Sequence, residues 1–194
     1  MGEKIAELGK RKIEHKQAKK ALTEGEEKFR AICAAAQDGV IVMDNKGNIS
    51  YWNKAAQRIF GYTKEEIIGK EVHIFLAPEK YHKAYKKGFN KFKKTGEGPV
   101  IGKTLELSAI RKDGVEFPIE LSVSAMIIQG EWHSIGIVRD ISERKQAEER
   151  IKHLNAVLRA IRNVSQLVTT EKDPDRLLKG ACESLIGTRG YHSA

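Results

Sequence analysis

Cysteine, proline and tryptophan are scarce in this chain, whose 194 residues hold two, four and two of them. Cys33 and Cys182 have no metal-ligand spacing around them, so they read as reduced thiols, which excludes a zinc site or a disulfide framework. With so little proline and 40% hydrophobic residues, the composition is that of a globular chain and not of a disordered one. No apolar run approaches the roughly 20 residues of a membrane helix. The amino terminus MGEKIAELGKRKIEHK is too charged for a signal peptide, so the cytoplasm is the expected compartment. No Walker, Ser-His-Asp or paired-carboxylate pattern is present, and no enzyme is expected within these residues. The length suits one domain with extensions.

Positive charge is what the chain has in excess, +9 overall. Much of it lies in EKYHKAYKKGFNKFKK, Glu79 to Lys94. There Tyr81, Tyr85, Phe89 and Phe92 recur at helical spacing, with Lys80, Lys83, Lys87, Lys91 and Lys94 on the opposite side. That pattern predicts a helix with one face in a core and a solvated lysine face. No zinc-finger, basic-zipper or RNA-binding signature accompanies it, so no nucleic acid is expected as a partner.

Four segments follow one another. Residues 1–25 are polar and helix-prone, with Leu8, Ala18, Leu22, Phe29 and Ile32 on a thin heptad-like stripe that suits pairing with a second copy. Residues 26–140 hold a dense α+β pattern. A strand, a turn at Asn45-Lys46-Gly47-Asn48 and a second strand come first. A short helix follows, with Asn53 as N-cap and Gly61 as its stop, and then a capping box of Thr63 with Glu66. After the lysine-rich helix come three strands, turning at Lys112-Asp113-Gly114 and at Gln129-Gly130-Glu131. Phe117, Ile119, Leu121, Val123 and Ala125 alternate with polar residues, as a sheet with one buried face requires.

The stretches EEKFRAICAAAQDGVIVMDNKGNISYWNKAAQRIFGYTKEEIIGKE, RKDGVEFPIELSVS and GIVRDISERKQAEERI, in this order, resemble a PAS domain of the sensory-box type from about Glu26 to Arg150. The resemblance implies a PAS fold, a five-stranded antiparallel sheet with helices over one face that enclose a pocket. It also implies an ion pair of Glu65 or Glu66 with Arg111 or Lys112. Such domains hold haem, flavins, small acids or nothing, so each cofactor is judged by its own chemistry. Flavin-adduct photochemistry needs a cysteine in a motif like NCRFLQ, and the matching stretch KEVHIFLA has none. Oxygen-sensing haem relatives carry an axial histidine where Tyr85 falls, and a haem-facing arginine where Leu105 falls. His82 lies three residues before Tyr85 on the same helical side and is the candidate haem ligand. FAD-holding relatives carry a tryptophan just before the third strand, where this chain reads TGEGPVIG. Trp52 and Trp132 read as packing residues at strand ends. The expected occupant is a small organic molecule or nothing, in a pocket walled by Val42, Ile59, Tyr85, Phe89, Leu105, Leu121 and Val123.

Residues 141–170 carry Ala147, Ile151, Leu154, Leu158, Ile161, Ser165 and Val168 in an unbroken 4-3 alternation, the seam of a parallel coiled coil. Asp140 is expected to cap this helix, with Glu143 at its third position. In PAS proteins the segment resembling RDISERK passes state to an effector, so Asp140, Ser142 and Glu143 are the candidate relay. His153 lacks the acidic neighbour of a phosphoacceptor and reads as an exposed coil residue. Residues 171–194, with Asp173 as N-cap, Pro174 first in the helix and Leu177, Leu178, Ala181, Leu185 and Ile186 on its face, resemble the incomplete start of a GAF domain. The expectation is a fragment of a two-component sensor, with kinase domains downstream and a homodimer formed through one or both terminal helices. Two functions stand open: a module that senses a ligand or redox signal, and a ligand-free dimerisation relay.

Overall fold

The computed structural model describes residues 2–186, with side chains described outside 2–15, 18, 22 and 184–186. The chain divides into two compact units between Asp140 and Ile141. In the first, α1 (Gly2–Ala35) precedes β1 (Gly39–Met43) and β2 (Ile49–Trp52). The helices α2 (Lys54–Phe60), α3 (Lys64–Ile67), α4 (Val72–Leu76) and α5 (Glu79–Thr95) follow, then β3 (Lys103–Ile110), β4 (Glu116–Ile128) and β5 (Glu131–Asp140). The five strands make one antiparallel sheet in the order β2-β1-β5-β4-β3, so the fold is α+β as expected.

Local chemistry explains the element ends. The Asp44 carboxylate accepts from the backbone N–H groups of Lys46 and Asn48, at 2.9 and 2.8 Å, and closes the first turn. Gly47 takes φ +93° there, and a side chain at that position would collide with the Tyr85 hydroxyl. Asn53 is buried and fully used. Its Oδ1 accepts from Ala56 N–H at 2.8 Å and Val40 N–H at 2.9 Å, and its Nδ2 donates to the carbonyls of Cys33 and Asp38. One side chain thus caps α2 and ties it to α1 and β1. The Thr63–Glu66 capping box is formed, Thr63 N–H donating to Glu66 at 2.9 Å. The last hairpin turns on Gln129 and Gly130, both at positive φ.

The core lies between the sheet and α2 to α4, with Phe60, Ile49 and Ile67 almost wholly excluded from solvent. Phe60 meets Trp52 at 5.5 Å and the edge of Phe117 at 5.6 Å between ring centroids. The amino-terminal helix does not end near Gly25 but continues to Ala35. Glycine in a helix costs only about 1 kcal/mol, and contacts such as Phe29 with Tyr51, 5.2 Å apart, favour continuation. Leu8, Ala18 and Leu22 of its stripe lie outside the described side chains, while Phe29 and Ile32 are exposed.

In the second unit α6 (Ser142–Thr170) and α7 (Pro174–Ile186) form a helical hairpin, with Leu167 seated against Gly180. Asp173 caps α7 by accepting from Asp175 N–H at 3.0 Å. Leu177 and Ala181 of α7 are half-buried, Leu178 is exposed, and Leu185 and Ile186 lie outside the described side chains. The cap expected from Asp140 is corrected. Ile141 holds the N-cap position of α6 with no side-chain bond, which puts Glu143 at the second helical position. Asp140 remains in β5, and its carboxylate pairs with the Arg111 guanidinium.

Candidate ligand-binding cavity

The period of two in each strand decides what faces the helices. Ile41 and Met43 of β1, Leu107 and Ala109 of β3, Leu121 and Val123 of β4, and Gly136 and Val138 of β5 all point to one side. α4, α5 and residues 98–101 cover that side and leave a cavity of about 290 Å³. Tyr81, Tyr85, Phe89 and Phe92 supply the α5 wall, at the spacing of one helical face. Their lysine neighbours are turned away, Lys80 to Glu116 and Lys91 to Glu97.

The aromatic wall is ordered by stacking. Tyr85 and Phe89 lie 5.1 Å apart with an angle of 22° between their planes, and His73 of α4 also stacks on Tyr85. Burial, reinforced by the charge of His82, pulls the His73 imidazole down to about 3, so it is neutral at neutral pH. Its Nδ1 is buried without a hydrogen-bond partner. Burial, with Glu71 and Asp44 adding to it, raises the Tyr85 hydroxyl well above the ordinary phenol, and that hydroxyl donates to Met43 Sδ at 3.5 Å.

Of the residues expected on the wall, Tyr85, Phe89, Leu121 and Val123 line the cavity, while Val42, Ile59 and Leu105 do not. Val42 falls between Ile41 and Met43 and therefore points to the opposite face of β1. Ile59 packs on the core from α2, whose next residue Phe60 takes the place on the wall. Leu105 shares the face of Leu107 but lies beyond the lined part of β3. His82 is also off the wall, its Nε2 donating to the Ala77 carbonyl at 2.9 Å. His73, Met43 and Ser134 are wall residues that sequence reasoning missed. Ser134 was within reach, because it continues the alternation of Gly136 and Val138. His73 was not, since five helical residues are too few to show a face.

The ion pairs below the cavity are likewise specific. Lys112 takes Glu66, one of the expected pairs, and this holds the Glu66 carboxyl below its usual range. Arg111 lies with its guanidinium carbon 3.8 Å from the centroid of Phe117, donates to the Ile59 carbonyl and pairs with Asp140. Arg139 binds Asp38 through two hydrogen bonds of 3.0 and 2.8 Å. The chain of contacts Phe60, Phe117, Arg111, Asp140 runs from the cavity wall to the last residue of β5. One residue, Ile141, separates that end from the first residue of α6. In α6, Ile151, Leu154, Leu158, Ile161 and Val168 are each more than half exposed. Ala147 and Ser165 of the same seam are exposed as well.

Among the described residues no helix is long and apolar enough to cross a membrane. The chain is 32% identical over 154 residues to the sensor protein FixL of Bradyrhizobium diazoefficiens, a match covering 79% of this chain and 30% of that protein. It is 31% identical over 157 residues to the methyl sulfide methyltransferase-associated sensor of Methanosarcina acetivorans, covering 80% of this chain and 15% of that protein. The chain therefore spans less than a third of the length of either relative. The crystal structure of the PAS domain of an HTR-like protein from Haloarcula marismortui superposes with a TM-score of 0.53 at 22% identity, over 65% of this chain and 99% of that one. The family model described as PAS domain matches residues 37–143, and with the sheet order and roofed cavity in place the chain belongs to the PAS domain family.

Proposed function

We propose that this chain is the sensory part of a two-component signalling protein. A small molecule enters the cavity, and the change passes through Arg111 and Asp140 into α6 and on to an effector downstream, a histidine kinase. The observation that carries this reading is the roofed apolar cavity joined by contact to the end of β5. Asp140, Ser142 and Glu143 form the joint, because only Ile141 intervenes between strand and helix and no glycine softens it. The exposed seam of α6 takes the same seam of a second copy in a parallel dimer, and α7 opens a GAF-like domain.

A small ligand suits the cavity better than haem or FAD. Its volume of about 290 Å³ lies at the low end of ligand pockets, which run from about 300 to 1,000 Å³. Haem also lacks its fixtures. Tyr85 stands at the axial position and turns its hydroxyl to Met43, His82 is held by Ala77, and Leu105 is off the wall.

Hydrogen exchange tests the proposal on the chain itself. Filling the cavity with a ligand found by native mass spectrometry should change exchange at residues 137–145 as well as at the wall. A ligand-loaded protein that changes only at the wall would remove the relay from the cavity to α6, and protein that retains no ligand would leave the ligand-free dimerisation relay as the better reading.

A further inference from the structure

Ser134, Tyr85 and His73 form one polar group on the cavity wall. Ser134 of the central strand β5 is only 6% exposed, faces the cavity, and has no partner for its hydroxyl among the described residues. Its cross-strand partner is Met43 of β1, and such pairs set their side chains next to one another on one face. The Tyr85 hydroxyl reaches the same Met43 from α5, through its sulfur at 3.5 Å. Two hydroxyls therefore flank one methionine, with the neutral His73 ring stacked behind Tyr85. Elsewhere on the wall the Tyr81 hydroxyl already accepts from Ser108 N–H and the Ser108 hydroxyl from Lys80, and the remaining lining is apolar, with Phe60, Leu107, Ile119, Leu121 and Val138.

No lysine, arginine, aspartate or glutamate is among the wall residues. A carboxylate or ammonium drawn into this chamber would shed its water with no opposite charge to replace it. A pure hydrocarbon would avoid that cost but would cover the Ser134 hydroxyl and leave its hydrogen bond unmade. An uncharged polar group escapes both penalties.

We propose that the cavity selects a small uncharged molecule with an apolar body and one hydrogen-bonding head, of phenol or short-alcohol type, the head held by the hydroxyls of Ser134 and Tyr85. This rests on the reading of the chain as a ligand-detecting module and gives it a ligand class.

The test is titration of the whole 194-residue chain with p-cresol, toluene and benzoate, followed by calorimetry and by NMR shifts of cavity methyl groups. p-Cresol should bind about tenfold tighter than toluene, the effect of one hydrogen bond in a dry pocket. Benzoate should not saturate. Ser134→Ala should bring p-cresol down to the toluene level while leaving toluene unchanged, and Tyr85→Phe should weaken p-cresol in the same direction with the ring stack kept. Equal affinity of p-cresol and toluene for the wild type, saturable benzoate binding, or a Ser134→Ala variant as selective as wild type would overturn this ligand class alone. Failure of all three compounds to bind would overturn it together with the reading of the cavity as a ligand chamber.

Discussion

The apolar face of β1, β3, β4 and β5 is roofed by α4 and α5, whereas the apolar seam of α6 from Ile151 to Val168 stands in solvent. Both surfaces are built from Ile, Leu and Val, but they differ in what their own unit supplies to cover them. Around the sheet, α4 and the aromatic-rich α5 enclose more space than they fill, and the surplus is a cavity. α7 meets α6 where Leu167 seats on Gly180, and the opposite stripe is left uncovered. The lesson is that an apolar pattern of given strength becomes a pocket or an interface according to which neighbours the chain provides.

Deletion of bulk should separate the two surfaces most sharply. Phe60 is about 1% exposed and holds Trp52 and Phe117, so Phe60→Ala should lower unfolding stability by about 3–5 kcal/mol in urea titrations. A loss below about 1 kcal/mol would mean that the cavity tolerates enlargement and that the core does not depend on this ring.

The seam should respond in association. Leu154→Asp with Leu158→Asp removes two leucines from each strand of the proposed coil, each worth about 1.5–3 kcal/mol when buried. Self-association should then weaken more than about 100-fold, because 1.4 kcal/mol is tenfold. Sedimentation velocity measures it, with the urea midpoint of the first unit unchanged. Wild-type protein that sediments as a monomer at high micromolar concentration would sink the dimer.

Acid should act on the cavity and spare the seam. The folded His73 has its pKa pulled to about 3, below its ordinary value of 6.5, first by burial and then by His82. The unfolded chain therefore takes up the proton first. Stability from this residue is complete above about pH 6.5 and is lost as pH falls toward 3, by at most about 1.4 kcal/mol per unit. His73→Phe keeps a ring against Tyr85 and removes the proton site. Between pH 7 and pH 5 wild type should lose about 1–2 kcal/mol more than the variant. Equal losses would mean that His73 is not buried in the folded protein.

What was legible in the residues follows from how local each signal is. Asn53, Gly61 and the Thr63–Glu66 box act within four residues of chain, and the structure contains all three. The alternation from Phe117 to Val123 was equally local and assigned Leu121 and Val123 to the covered face. Val42 failed because all of Val40 to Met43 is apolar, so alternation cannot tell its faces apart; only pairing with β2 and β5 does. The partners of Arg111 and His82 were hidden for a different reason. The first depends on a tertiary approach, of the β3–β4 turn to the end of β5, that no spacing along the chain encodes, and the second is a bond five residues back, across the break between α4 and α5.

The joint between the two regions offers the smallest and most discriminating effect. Asp140 was expected to act as a helix cap, yet its carboxylate is paired with Arg111, and both side chains are about a quarter exposed. Either role predicts that Asp140→Ala costs about 1–2 kcal/mol, so the single variant decides nothing. A double-mutant cycle does. If the carboxylate acts through Arg111, removing both groups, with Arg111→Met keeping the apolar stem over Phe117, should cost less than the sum of the single losses by about 1 kcal/mol. A cap would give losses that simply add, because the α6 amides owe nothing to the guanidinium. Asp140→Asn sharpens the distinction, since an amide retains a hydrogen bond to Arg111 but loses its charge; it should keep part of the coupling and lose its dependence on salt. Additivity within about 0.3 kcal/mol across the cycle would remove Arg111 from the path between cavity and α6.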